Sequence, residues 1–178
     1  ILDEGALDKN GDAYFFFSLD KFQSANVILA AYDANGIIQW TWHIWMVPEG
    51  LDVVRLGEYN LLDRNLGSTY APKAASDIND KNALATHGFY YQWGRKDPMV
   101  SITVNETRYG FDTVEESFAY PMAFGIGEKW AWDFNENLWS SEQKTMYDPC
   151  PPGWMVAGRD TWNDLEAYGQ DDFGLMFS

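Results

Sequence analysis

Hydrophobic and polar positions alternate in bursts over the first fifty residues. AYFFFSL at 13–19, NVILAAYD at 26–33 and IIQWTWHIWMV at 37–47 are rich in aromatic and β-branched residues, the composition that strands favour. Asn35-Gly36 separates the second burst from the third. Both residues tolerate the positive φ of a type I′ turn, so the pattern predicts a hairpin. In its second strand the two-residue period puts Trp40, Trp42, Ile44 and Met46 on one face and Thr41, His43 and Trp45 on the other. The first face is the predicted core.

Pro48, Glu49 and Gly50 stop that strand, and the composition then shifts toward Asn, Asp, Gly and Ser, which predicts a domain boundary between 48 and 57. APKAASDINDKN at 71–82 reads as an irregular loop. ALATHGFYYQW at 83–93 reads as a short helix capped by Asn82 and ended by Gly94. On that helix Phe89, Tyr90 and Trp93 share a buried face, while Arg95 and Lys96 follow its C-terminal end, where the dipole favours cations. MVSITV at 99–104 and SFAYPMAFGI at 117–126 carry weak strand patterns, and EKWAWDFNENLW at 128–139 reads as an aromatic, acidic loop. A last helix is expected from Asp160 or Thr161 to Tyr168, with Asp164 at the capping-box position and Gly169 as its stop. No repeat or low-complexity tract is present.

Composition narrows the function. The 178 residues are 46% hydrophobic, enough for a real core, and 17% aromatic, with Trp 9, Tyr 10 and Phe 11. Lys+Arg 12 against Asp+Glu 27 gives a net charge of −15, which repels phosphate backbones and anionic membrane surfaces, so no nucleic-acid partner is expected. One cysteine, Cys150, excludes an internal disulfide framework or a Cys-rich zinc site. No apolar run reaches the roughly 18 residues that span a bilayer, and no signal-peptide pattern opens the chain. Because it begins with Ile1, the chain is expected to be a piece of something longer.

Candidate chemistry is sparse. Asp8, Asn10 and Asp12 in DKNGD have the one-residue spacing of a calcium loop, but the glycine comes too early and no bidentate glutamate follows, so a solvated turn is the expected reading and calcium the alternative. His43 and His87, the two histidines, are read as a packed strand residue and a structural or capping donor. Cys150 is hemmed by Pro149, Pro151 and Pro152, and no GxSxG elbow or phosphate-cradling glycine loop occurs. Glu115 with Glu116, and Asp171 with Asp172, have the chemistry of a glycosidase pair, but in so acidic a chain such neighbours arise by chance. Trp162-Asn163-Asp164 matches a metal-site tripeptide of C-type lectins; it lies in the predicted helix, and the companion tripeptide is missing.

Longer blocks carry more information. IIQWTWHIWMV at 37–47, YNLLDRNLGSTYA at 59–71 with ATHGFYYQWGRKDP at 85–98, and KTMYDPCPPGW at 144–154 resemble, in order and spacing, the signature segments of the major-paralogous (FISUMP-type) domain of fimbrillin-like bacterial surface proteins and lipoproteins. The resemblance covers roughly residues 26 to 165. It implies a mixed α+β, mostly β fold: a β-sandwich-like, fimbrillin-type segment at 1–50, then a C-type-lectin-like domain at 51–178 with one or two short helices. MVAGRDTW after Trp154 departs from the family pattern, and both segments are expected to be incomplete.

The resemblance implies an extracytoplasmic protein of the outer-membrane surface or a fimbrium, lipid-anchored outside this chain and without a catalytic residue. The residues themselves assign Asp63 and Arg64 to loop hydrogen bonds and Cys150 to a small buried apolar site. The expected function is non-catalytic cell adhesion, recognising a glycan, host protein or sister subunit through Trp130, Trp132, Phe134 and Trp139, a mixture of rings, acids and amides suited to sugars. Alternatives are a structural pilus assembly subunit that accepts a partner strand, a polysaccharide-binding accessory protein and a glycosidase.

Overall fold

The computed structural model describes residues 2–7, 13–18, 20–73, 75–79, 82–99 and 106–167. Asp8, Asn10 and Asp12, the strand expected beyond Met99, Asp171, Asp172 and the expected helix end at Tyr168 and Gly169 lie outside the described residues. Strands β1 (Leu2–Leu7) and β2 (Ala13–Phe17), β3 (Ala25–Tyr32) and β4 (Ile38–Met46), and β5 (Val53–Leu56) and β6 (Tyr59–Leu62) form three antiparallel pairs, while β7 (Thr107–Phe111) and β8 (Phe124–Ala131) pair in parallel. Helices α1 (Ala83–His87) and α2 (Arg159–Ala167) are short. Three 3₁₀ turns, Ala75–Asp77, Glu115–Ala119 and Glu136–Leu138, complete a mixed, mostly stranded architecture.

The β3–β4 hairpin forms where alternation places it, with Val27 opposite Ile44 and Leu29 opposite Trp42. Its turn differs from type I′. Within it only Gly36 has positive φ, at 78°, and no other residue of the turn does. The Asp33 carboxylate explains this: it accepts the N–H groups of Asn35 and Ile37, both at 2.9 Å, while the Asp33 carbonyl accepts Gly36 N–H at 3.1 Å. An aspartate that closes its own turn spans a longer loop and leaves one left-handed position to glycine.

The hairpin's burial also corrects the expected core face. Met46 is buried as expected, but Trp42 on that face is exposed, and the buried residue between Trp40 and Trp42 is Thr41. The polar face wins because its groups find partners: Trp45 Nε1 donates to Ser68 O at 2.9 Å, and Asn26, opposite Trp45, donates from Nδ2 to Gly67 O at 2.8 Å.

The helix expected over 83–93 stops at His87. Gly88 takes φ 70°, and a Cβ there would lie 2.5 Å from Leu66 O, so the chain must turn where only glycine fits. Phe89 N–H then donates to Leu66 O at 2.9 Å, and Tyr90 exchanges backbone bonds with Met99 at 2.9 and 2.8 Å. Phe89, Tyr90 and Trp93 therefore share no helix face. Asn82 does not cap α1 through its side chain: the amide accepts from Asn79 N–H and donates to Asp77 O, closing the preceding loop. At the other end α2 begins at Arg159, so Asp160 sits in its first turn, and Trp162-Asn163-Asp164 is helical as expected.

The core gathers in the second half of the chain. Phe111, Val114, Ala123, Trp130, Ala131 and Leu138 are buried together, with Phe118, Phe134 and Tyr147 packed against them. Two sequence expectations are overturned there. SFAYPMAFGI begins as a 3₁₀ turn and becomes strand only at Phe124, and the expected 128–139 loop opens with the buried end of β8 and holds a 3₁₀ turn.

Candidate binding surface

The four aromatics expected to face a ligand separate. Trp130 is 6% exposed, its indole N–H donating to Trp93 O at 2.7 Å and its ring meeting Phe111 and Phe134 edge-on. Phe134 is half-buried against the same core. Trp139 is half-buried, donating from Nε1 to Tyr147 O at 2.8 Å. Trp132 is 80% exposed, on a turn tied by its own N–H to Phe111 O at 3.0 Å and by Val114 N–H to the Asp133 carboxylate at 2.7 Å. Tyr109, on β7, stands 94% clear of the protein.

Trp93, assigned by periodicity to a buried helix face, is instead 45% exposed and lies against Trp139, ring centroids 5.0 Å apart and planes inclined at 57°. The structure thus exchanges the expected places of Trp93 and Trp130. The backbone around Trp93 is held on both sides. Gln92 donates to Gly125 O at 2.6 Å and accepts Gly125 N–H at 3.1 Å, and Gly94, at φ 82°, leaves no room for a Cβ beside Phe134 and Leu138.

Beneath this surface lies a group with no sequence motif. Arg95, expected beside a helix end, is 2% exposed and donates to Ala123 O, Tyr120 O and Ser117 O, with its guanidinium 5.4 Å from the Phe111 ring centroid and 5.6 Å from that of Trp130. Its Nε has no partner. Burial pulls its pKa down, opposed by the Asp97 charge. The crevice lined by Gly94, Arg95, Lys96, Asp97, Phe118, Trp130 and Tyr147 has no interior volume for a water molecule.

A polar seam fastens the hairpin to this body. Lys96 Nζ donates to Asp97 at 2.6 Å, to Thr41 Oγ1 at 2.5 Å and to Thr41 O at 3.1 Å, 4.3 Å from the Trp40 ring centroid, while Thr41 also donates to the Asp97 carboxylate. Burial pulls the Lys96 pKa down, countered by Asp97. His43 donates from Nε2 to Asn26 Oδ1 at 2.8 Å, and the Tyr91 hydroxyl donates to its Nδ1 at 3.4 Å; this fixes the neutral tautomer, and burial lowers its pKa to about 4. The packed reading of His43 holds.

The other expected groups are structural in geometry. Arg64 pairs with Asp63 at 2.8 Å and Glu49 at 2.7 Å and reaches Gly50 O, as read from the sequence. His87 is exposed at the end of α1, its ring edge-on to Tyr90. Glu116 accepts Asp112 N–H and pairs at 3.5 Å with Arg108, which lies 3.7 Å from the Tyr120 ring centroid. Cys150 is half-buried, and burial pushes its thiol up to about 12, next to the Asp148 charge, so it stays protonated and a poor nucleophile at neutral pH. Asp148, which no sequence signal marked, organises the YDPCPPGW loop by accepting Cys150 N–H, Val156 N–H and Lys144 Nζ. Among the described residues no three His, Cys, Asp or Glu side chains converge as a metal set, and no helix is long and apolar enough to cross a membrane. Comparison with known proteins returns no matching family model, no matching curated protein and no matching solved structure.

Proposed function

We propose that the chain is a non-catalytic, extracytoplasmic adhesion module of a bacterial surface protein or fimbrium, related to the major-paralogous, C-type-lectin-like domain whose sequence blocks it resembles. In this reading the fimbrillin-type segment spans 1–50, the lectin-like domain 51–178, and a lipid anchor lies outside the chain. The supporting observation is the display of large rings on tied backbone: Trp132 and Tyr109 are 80% and 94% exposed. Aromatics carried on a fixed backbone have less freedom to lose on contact, the economy that recognition surfaces use. The ligand is a glycan, a host protein or a sister subunit. Binding of the purified chain to a glycan array and to immobilised surface proteins tests it. Trp132→Ala is expected to weaken capture; unchanged capture removes Trp132 from the contact.

A structural assembly role is the second reading, favoured by the β3–β4 sheet, which pairs with no further strand among the described residues and exposes Val27, Ile28 and Trp42. An open edge beside apolar side chains suits addition of a partner strand. Concentration-dependent polymers that disappear in an Ile28→Lys variant support this reading, and a strictly monomeric chain removes it.

A further inference from the structure

Solitary exposed apolar residues are ordinary on protein surfaces. Trp93 is not solitary: it lies on Trp139, on a backbone held at three consecutive positions. Gln92 joins β8 through two bonds to Gly125, the Trp93 carbonyl accepts the buried Trp130 indole, and Gly94 is seated against Phe134 and Leu138. The Trp139 indole N–H is spent on Tyr147 O, so this ring offers only its faces and edges to a ligand. Asn135, Asn137 and Gln143, exposed amide residues, flank the same segment, and the Glu136–Leu138 turn is closed by Asn137 N–H on Asn135 Oδ1 at 3.1 Å.

We propose that Trp93 and Trp139 form a preorganised stacking site for an uncharged sugar ring, with the neighbouring amides serving its hydroxyls. The site deepens the adhesion reading and rests on it. A pyranose presents a C–H face that a ring can cover and a rim of hydroxyls that amides can bond. The charge of −15 repels uronates and other anionic sugars, so the class is a neutral hexose oligosaccharide. Fixing the turn before contact lowers the ordering cost of binding, which is the use of three anchors behind a side chain left half in water.

Titration calorimetry of the full chain with neutral hexose oligosaccharides, chosen by a glycan array, tests the site. Trp93→Ala is expected to weaken binding tenfold or more while the chain still unfolds cooperatively with only a modestly lower midpoint, because the Trp93 group that bonds to the core is its backbone carbonyl. Trp93→Tyr is expected to retain most of the affinity. Leu84→Ser, at an 89% exposed position on α1, is expected to bind as the unaltered chain does. Equal binding by Trp93→Ala overturns the site and leaves the adhesion reading standing. Tighter binding of uronate-bearing glycans overturns the neutral class. If the unaltered chain binds no glycan, the site falls with the sugar form of that reading, while capture by immobilised surface proteins still measures adhesion.

Discussion

The β3–β4 hairpin and the core around Arg95 reach order by opposite routes. In the hairpin a two-residue period and one glycine set the register, and polar side chains on one face then fasten the sheet to segments 67–97. Around Arg95 the elements are short and irregular, single turns pair Tyr120 N–H with Ser117 O and Ala123 N–H with Tyr120 O, and a buried guanidinium ties these turns together by donating to the carbonyls of Ser117, Tyr120 and Ala123. Regular structure spreads its hydrogen bonds over many residues, whereas the irregular core concentrates them on one side chain. Single substitutions should therefore be unequal in the two regions.

Arg95→Ala should have the largest effect. It strips the Ala123 carbonyl of its donor and takes a second donor from the Ser117 and Tyr120 carbonyls, which keep the N–H groups of Tyr120 and Ala123. It also empties the space beside Phe111 and Trp130, so it should cost about 3–4 kcal/mol in denaturant unfolding. A loss below about 1 kcal/mol would break the comparison, since it would show those carbonyls re-paired or hydrated. Next is Gly125→Ala, whose new Cβ would meet the Trp130 Cβ at 2.7 Å; backbone displacement should cost about 1–3 kcal/mol and blue-shift or broaden the Trp130 environment seen by near-ultraviolet dichroism.

The pH dependence of the seam comes third. The folded pKa of His43, about 4, lies below its ordinary 6.5, so the unfolded chain takes up the proton first. Stability is fully present above pH 6.5, is lost as the pH falls from 6.5 to 4, and changes no further through this group below that. The ring is only partly buried, so about 1–2 kcal/mol is expected from the whole window. Replacing His43 by Gln should flatten the stability profile between pH 6.5 and 4; an unaltered slope assigns that dependence to other groups. Smallest is Gly36→Ala in the hairpin turn, where φ is 78° but nothing lies within 4 Å, so only the backbone preference is lost, about 1 kcal/mol. A loss as large as that of Arg95→Ala would erase the distinction between the regions.

The same contrast explains what could be read beforehand. Alternation and Asn35-Gly36 locate the hairpin because both signals are local. They misassign its buried face because Thr41, His43 and Trp45 are held by groups 17 to 56 residues away, which no periodicity encodes. Apolar spacing over 83–93 is compatible with helix, and Gly88 is the contrary signal; its requirement comes from Leu66, 22 residues earlier, so Trp93 and Trp130 exchange their expected positions. Arg95 was unreadable because its partners are backbone atoms, identical in every residue type. Of the candidate surface, Trp132 was legible as an aromatic among acids and Trp93 was not.

The Lys144 ammonium donates to Asp148, Cys150 O and Trp154 O, so the peptide bond after it begins a loop clasped by its own side chain. Proteases that cut after lysine need that side chain in their own pocket and the flanking backbone extended. Here both are already engaged, so in an environment rich in digestive enzymes this lysine should be among the last of the chain's cleavage points to yield.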